Sequence, residues 1–146
     1  KVKDITARDI WIARSRIAPY VTKTPLVYSH TLSEMTGANI YLTFGIGAFK
    51  VRGAANKILS LPEGSRKAGV STFSTGNHGA AVAYISSKLG IPAIVCMSRH
   101  VPEIKVKNIA RWGAKILQNW DSQDDAGVYC YEMEREQGIT VIPPFD

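Results

Sequence analysis

The sequence predicts an α/β fold in which helices wind around a parallel sheet. Four short apolar runs lie between residues 70 and 142, and stretches with helical spacing separate them. A strand, a helix and a second strand in this order form a right-handed crossover, and repetition of this unit builds a parallel sheet. The chain has 146 residues, of which 45% are hydrophobic and 21% are charged, so its composition is that of a globular domain with a core.

The first third of the chain carries signals for two helices and two short strands. Thr6 stands three residues before Asp9, which is the pattern of a helix N-terminus, and Pro19 ends that helix. Gly37 closes a second helix. The remaining elements are strands at residues 26–28 and 39–42, with the second helix at residues 29–35 between them.

These first elements are too few to enclose a core of their own. We therefore expect residues 1–49 to belong to a larger domain. Several apolar side chains of this part should then be exposed, because the surface they cover lies on that domain. The candidates are Ile10, Ile17, Leu26 and Ile40.

Residues 50–146 are predicted to form a small α/β domain. Its helices cover residues 51–59, 79–89, 102–112 and 124–137, and its strands cover residues 70–73, 93–97, 115–117 and 140–142. Ligands of such sheets bind at the carboxyl ends of the strands, next to helix N-termini. The turn at residues 74–79 has this location, because it directly follows the strand at residues 70–73.

Lys50 lies in the run GAFKVRGAAN at residues 47–56, between small residues and the start of a helix. A partly desolvated lysine loses proton affinity and becomes a nucleophile toward a carbonyl carbon, as Schiff-base formation requires. An isolated lysine is usually a solvated surface charge, but this context favours a functional one. Because residues three or four apart share a helical face, Gly53 and Asn56 or Lys57 are expected on the side of Lys50.

The run STGNHG at residues 74–79 has the composition of an anion site. Two hydroxyls, a glycine and a following helix place several backbone N–H donors around one point, where an amino-acid carboxylate fits. The alternative is that Ser74, Thr75 or Asn77 caps the helix and binds no ligand. For His78 the residue type and position favour packing or hydrogen bonding over a role as general base.

Two further runs, KTPL at residues 23–26 and GIPA at residues 90–93, complete a set of motifs that covers nearly the entire chain. In these motifs the chain resembles the threonine dehydratase and serine racemase branch of the fold-type II, tryptophan-synthase-β-like, pyridoxal-phosphate enzymes. The resemblance implies pyridoxal 5′-phosphate as cofactor and an amino acid as substrate. It also implies that the full-length protein is a homo-oligomer.

The same resemblance implies a role for each motif residue. Lys50 is the catalytic lysine that holds the cofactor as a Schiff base, Phe49 lies against the pyridine ring, and Asn77 hydrogen-bonds the phenolic oxygen. The turn clamps the substrate carboxylate. The implied cofactor-binding residues are Phe49, Lys50 and Asn77, and the implied substrate-binding residues are Ser74, Thr75, Gly76, Asn77 and His78.

The activity that the resemblance implies is a lyase reaction, which converts L-threonine or L-serine to a 2-keto acid and ammonia. Two other functions stay open. A racemase of the same branch needs a second acid or base on the opposite face of Cα, for which a hydroxyl of Ser74 or Thr75 is the candidate. A non-catalytic module would bind an amino acid through residues 74–77 without using Lys50.

The chain departs from the family pattern in two features. Between Leu42 and Lys50 it is several residues shorter than the family's usual stretch before the lysine motif. The chain is also less than half as long as members of the family. The C-terminal half of the large domain, with the loop that cradles the cofactor phosphate, is therefore expected to lie outside these 146 residues.

Composition argues against other classes of protein. The 18 basic and 12 acidic side chains give a net charge of +6 without any block of like charge, so nucleic-acid binding is not expected. No apolar stretch approaches the roughly 18 residues of a membrane span, and no signal peptide is expected. The three histidines, His30, His78 and His100, are too scattered for a metal site. Cys96 and Cys130 are expected to be reduced structural thiols of a cytoplasmic protein.

Overall fold

A computed structural model describes residues 4–43 and 49–145. In chain order this part contains the elements α1 (Ala7–Ile17), β1 (Leu26–Tyr28), α2 (His30–Thr36), β2 (Tyr41–Thr43), α3 (Lys50–Ser60), α4 (Glu63–Ala68), β3 (Val70–Phe73), α5 (Asn77–Leu89), β4 (Ala93–Ser98), α6 (Glu103–Ala110), β5 (Lys115–Trp120), α7 (Gln123–Gln137) and β6 (Thr140–Val141). The predicted shortening before Lys50 falls on residues 44–48, outside the described residues.

Four strands form one parallel sheet in the order β5-β4-β3-β6, which confirms the predicted fold class. The register pairs Val70 of β3 with Ala93 of β4 on one side and with Thr140 of β6 on the other. Although β6 is the last strand along the chain, it therefore lies beside β3. Because parallel strands end at the same edge, the segment after β6 and the turn after β3 are neighbours. Strands β1 and β2 form a separate antiparallel pair.

The core occupies both faces of the parallel sheet. Val95 and Met97 of β4 belong to a buried cluster shared with α3 and α5, whereas Cys96 between them belongs to a second cluster under α7. Ile58 of α3 and Val82 of α5 are fully buried, and each such side chain contributes about 1.5–3 kcal/mol. The apolar faces of α3 and α5 thus fix the two helices that carry the candidate site residues.

Several elements differ from the prediction at their ends. Helix α4 was not expected, because its six residues include no buried apolar side chain whose spacing could reveal it. Strand β5 continues to Trp120 instead of ending at residue 117, and β2 ends at Thr43. Helix α5 begins at Asn77 rather than at residue 79. Asn77 and His78 therefore lie on the first turn of a helix.

Helix α1 begins as the sequence predicts and docks on α3. Thr6 and Asp9 form a capping box, in which each residue's backbone N–H donates to the other's side chain. At the other end of the helix, Arg16 Nη1 donates to Asn56 Oδ1 at 2.6 Å and to Ser60 Oγ at 2.8 Å. These two bonds join the last turn of α1 to α3.

The exposure expected of the first third is confirmed for Ile10 and Leu26, which are 63% and 71% exposed. Ile40 is half-buried. The expectation is wrong for Ile17, which is only 8% exposed. The reason is the docking of α1 on α3, which adds Ile17 to the main core of the small domain.

Cys96 and Cys130 are free and buried, as expected of structural thiols. A hydrogen bond with Cys130, together with burial, raises the pKa of the Cys96 thiol above its ordinary value. Within residues 4–43 and 49–145, no cluster of His, Cys, Asp and Glu side chains is arranged to hold a metal ion. The helices of the same ranges are all too short or too polar to cross a membrane.

Candidate active site

A cleft of about 580 Å³ opens between α3, the start of α5 and the segment that follows β6. Lys50 and Phe49 line it from α3, and His78 lines it from α5. Ile142 and Pro144 form the opposite wall. Sites for cofactors and small ligands usually have volumes of roughly 300–1,000 Å³, so the cleft can hold a molecule of that size.

The Lys50 side chain is half-buried in the wall of this cleft, where α3 begins. Its Nζ atom donates a hydrogen bond to the Pro144 carbonyl oxygen at 2.8 Å. The same atom lies 5.7 Å from the ring centre of Phe49 and 5.2 Å from that of Phe145, which is within cation–π range. One carbonyl and two aromatic rings thus hold the amine at the cleft.

His78 is buried, with 7% of its surface exposed, and its Nε2 lies 3.0 Å from the Ile142 carbonyl oxygen. Burial is the main reason that the pKa of His78 is lowered, and the positive charge of Lys50 acts in the same direction. A neutral imidazole has one N–H, and a carbonyl oxygen can only accept. The proton is therefore on Nε2, and His78 is a hydrogen-bond donor to Ile142.

The turn at residues 74–76 connects the end of β3 to α5. Gly76 is the N-cap residue of α5, and none of the described side chains caps the helix there. Ser74 Oγ instead accepts a hydrogen bond of 3.4 Å from the Gly76 backbone N–H. Ser74 and Thr75 are half-buried, whereas Gly76 and Asn77 are exposed. Uncapped N–H groups at a helix start are the usual anion donors of such turns.

Predicted site residues line two cavities in the described part of the chain. Phe49, Lys50 and His78 share the large cleft, while Asn77 lines a separate cavity of about 30 Å³ with Tyr84 and Trp112. Successive residues of a helix point in different directions, which separates Asn77 from its neighbour. The other three residues of the turn, Ser74, Thr75 and Gly76, line neither of these two cavities.

The large cleft is electropositive. Lys50, Arg52 and Lys57 line it, and none of the described residues in its wall is acidic. A cleft lined by charges of one sign concentrates ligands of the opposite sign, so its electrostatics favour a phosphate or a carboxylate. The expected grouping on one side of α3 is also confirmed, because Lys50 shares this cleft with Gly53, Asn56 and Lys57.

A positive cleft with a lysine amine at its wall fits the motifs of the sequence. The model of the protein family described as pyridoxal-phosphate dependent enzyme matches residues 17–146. The chain belongs to this family. Pyridoxal phosphate is therefore the cofactor with which members of this group work, as the motifs imply.

The relatives of this chain include proteins named as dehydratases and racemases. A putative threonine dehydratase of Sinorhizobium fredii is 41% identical over 150 residues, which cover 100% of the chain and 45% of the relative. The serine racemase of Schizosaccharomyces pombe is 37% identical over 145 residues, which cover 97% of the chain and 45% of the relative. The chain thus spans less than half the length of these curated relatives.

Solved structures with the same fold confirm the fold-type II assignment. Maize serine racemase superposes with a TM-score of 0.85 at 35% identity, over 94% of this chain and 43% of that one. The processed form of threonine deaminase isoform 2 from Solanum lycopersicum superposes with a TM-score of 0.83 at 26% identity, over 100% of this chain and 43% of that one. The α/β fold with its parallel sheet is therefore that of these enzymes.

The described residues fit pyridoxal phosphate. An aldehyde needs an amine, and Lys50 Nζ faces the cleft. A phosphate dianion needs positive charge, and Arg52 and Lys57 line the same cleft. An aromatic cofactor ring packs well on aromatic side chains, and the Phe49 ring lies beside the amine.

The sequence prediction missed the segment at residues 142–145, which presents carbonyl groups to both Lys50 and His78. Because ligands bind at the carboxyl ends of parallel strands, the sequence predicted a site at the end of β3. The same rule applies equally to the end of β6. Only the position of β6 next to β3 makes the segment part of the site, and strand order is not visible in local patterns.

Proposed function

We propose that the chain is part of a pyridoxal-phosphate-dependent dehydratase that converts L-threonine or L-serine to a 2-keto acid and ammonia. The observation that carries the proposal is the Lys50 amine, held at an electropositive cleft of cofactor size. The names of relatives support this reaction class, since the putative threonine dehydratase of Sinorhizobium fredii and the L-threonine ammonia-lyase of Thermotoga maritima are 41% and 37% identical.

Lys50 has two tasks in this reaction. Its Nζ would hold pyridoxal phosphate at the cleft through the aldehyde group, and its free amine would accept the proton from the substrate's Cα. When bound, pyridoxal phosphate supplies the sink for the electron pair left at Cα. The β-hydroxyl would leave as water with the proton that Lys50 took from Cα, and hydrolysis of the enamine would give the keto acid and ammonia.

The turn before α5 orients the substrate. Its backbone N–H groups and the hydroxyls of Ser74 and Thr75 would bind the α-carboxylate, and Asn77, which is exposed at the start of α5, would bind the cofactor. Support comes from the first N–H groups of α5, which no side chain of the described residues caps and which are therefore available to an anion. In this geometry the carboxylate fixes which substituents of Cα face Lys50.

A serine racemase activity is the second candidate. It is favoured by the hydroxyls of Ser74 and Thr75, because an acid or base on the opposite face of Cα would have to come from such a group. The serine racemase of Schizosaccharomyces pombe is 37% identical. Dehydration is preferred, since the methyl group of Thr75 crowds that face and restricts the side chain's rotamers.

We propose the domain organisation that the resemblance to the family implies. Residues 1–49 belong to the large domain and residues 50–146 form the small domain, with the remainder of the large domain outside these residues. The exposed β1-β2 pair supports this division, since Leu26 and Tyr41 are 71% and 57% exposed. Homo-oligomer formation and a cytoplasmic location stay predictions.

The proposal is tested by locating the cofactor's attachment. The protein is incubated with pyridoxal phosphate, reduced with borohydride, digested and mapped by mass spectrometry. We expect the label on Lys50, and loss of the label in Lys50→Ala but not in Lys57→Ala, whose side chain lines the same cleft. Label on Lys57 or on Lys105 in place of Lys50 would overturn the assignment.

A further inference from the structure

The segment at residues 142–145 links His78 to Lys50. The Ile142 carbonyl oxygen lies 3.0 Å from His78 Nε2, and the Pro144 carbonyl oxygen accepts from Lys50 Nζ at 2.8 Å. On its other side, the Ile142 backbone N–H donates to the Ser71 carbonyl oxygen of β3 at 2.8 Å. Both backbone polar groups of Ile142 are therefore hydrogen-bonded, one to β3 and one to His78.

The two residues that follow Ile142 transmit its position well. Pro143 and Pro144 each have a φ angle fixed by the ring, so few backbone rotations separate the Ile142 carbonyl from the Pro144 carbonyl. Ile142 itself is 1% exposed. A displacement of Ile142 would therefore move the Pro144 oxygen, and with it the Lys50 amine that donates to it.

His78 is suited to holding this segment rather than to proton transfer. Its one N–H is committed to Ile142, and the ring is buried where α5 begins. Lys50, by contrast, is the half-buried group at the cleft surface. His78 at the start of α5 is thus connected to the Lys50 amine through the segment after β6.

We propose that His78 is a positioning residue, which holds residues 142–145 so that the Pro144 carbonyl oxygen directs the Lys50 amine into the cleft. This inference rests on the proposed role of Lys50. It differs from that role, because His78 acts on the amine through a backbone segment.

The test compares His78→Gln with His78→Met in the full-length protein. The glutamine Nε2–H can donate to Ile142 from nearly the same place, whereas methionine fills similar space without a donor. The measurement is the rate of label incorporation at Lys50 with pyridoxal phosphate and cyanoborohydride, with Lys57 of the same cleft as internal reference. We expect the glutamine variant to keep the Lys50 rate, and the methionine variant to lose up to about tenfold, as one lost hydrogen bond allows.

A second variant covers the case in which His78→Met does not fold. Pro144→Gly keeps the carbonyl oxygen but frees the φ angle, so it should slow Lys50 labelling while His78 stays in place. Equal labelling of Lys50 in all variants would overturn the inference. An equal loss of kcat in His78→Gln and His78→Met, with normal labelling of Lys50, would also overturn it, because that pattern is expected of a general acid or base. No label on Lys50 in the unaltered protein would instead overturn the proposed function, and the inference with it.

Discussion

Gly79 approaches the Ser74 backbone so closely that a Cβ atom on residue 79 would lie 2.5 Å from the Ser74 carbonyl oxygen. The same Cβ would lie 3.2 Å from Ile109 Cδ1. The first turn of α5 is therefore packed directly onto the turn that is proposed to bind the substrate carboxylate. Glycine is required here by space and not by its backbone angles, because its φ is not positive.

Gly79→Ala should consequently destabilise the protein by about 1–3 kcal/mol, as overpacking does, and should weaken substrate binding by displacing Ser74. Gly64→Ala is the matched control, because among the described residues no atom beyond the adjacent helix backbone lies within 4 Å of its added Cβ. In helix α4 that change should stabilise by about 0.5–1 kcal/mol. Urea unfolding of both variants measures the difference, and equal stabilities would contradict the close contact.

Two variants of the turn distinguish the proposed contact with the substrate carboxylate from the proposed contact with the cofactor. Thr75→Ala should mainly raise KM, with about 1.5–3 kcal/mol for each charge-assisted hydrogen bond that is lost. Asn77→Ala should shift the visible absorption of the bound cofactor and lower kcat. Steady-state kinetics and spectra of the full-length enzyme measure both. Unchanged substrate affinity in Thr75→Ala would show that the turn does not bind the carboxylate through this hydroxyl.

The reaction products distinguish dehydration from racemisation. The full-length enzyme with L-serine should give mainly pyruvate, because the Thr75 methyl group restricts the hydroxyl on the far face of Cα. Thr75→Ser removes that methyl and should raise the share of D-serine. Chiral chromatography and a pyruvate assay give the ratio, and D-serine as the main product of the unaltered enzyme would reverse the preferred order.

Burial of His78 gives the protein a pH-dependent stability. Its pKa in the folded state is lowered by burial and by Lys50, while the unfolded imidazole has a pKa of about 6.5. Below that pH the unfolded chain binds a proton that the folded chain does not. The free energy of unfolding should therefore be fully maintained above pH 6.5, and should fall toward lower pH by up to about 1.4 kcal/mol per unit.

Urea unfolding at a series of pH values between about 5 and 8 measures this slope. His78→Gln removes the titrating group and should flatten the curve just below pH 6.5. An identical slope in the unaltered protein and in His78→Gln would show that His78 does not contribute to it.

The 146-residue chain expressed by itself should bind a hydrophobic dye. Ile10, Trp11 and Leu26 are each more than 60% exposed, and exposed apolar side chains of this size favour dye binding. Ile10→Lys should lower dye fluorescence without loss of stability. Ile17→Lys should instead unfold the chain, because it places a charge in the main core. A chain that binds no dye would contradict the proposed domain division.

Part of the candidate site could be predicted from the sequence because its signals are local. Lys50 stands at a helix start within a glycine- and alanine-rich run, and the turn at residues 74–76 directly follows a strand, as predicted. The roles of these residues toward cofactor and substrate stay proposals. The sequence did not indicate that Asn77 and His78 would line different cavities, since α5 was expected to begin two residues later.

The sequence by itself determined the α/β class, most of the helices and strands, the capping of α1 and the family motifs. Each of these depends on the spacing of residues that are close along the chain. Only the tertiary structure decided that β6 lies beside β3, that Pro144 meets Lys50, and that Ile17 is buried. The physical reason is that strand order and helix docking depend on contacts between distant residues. The Lys50 to Pro144 bond, for example, joins residues 94 positions apart.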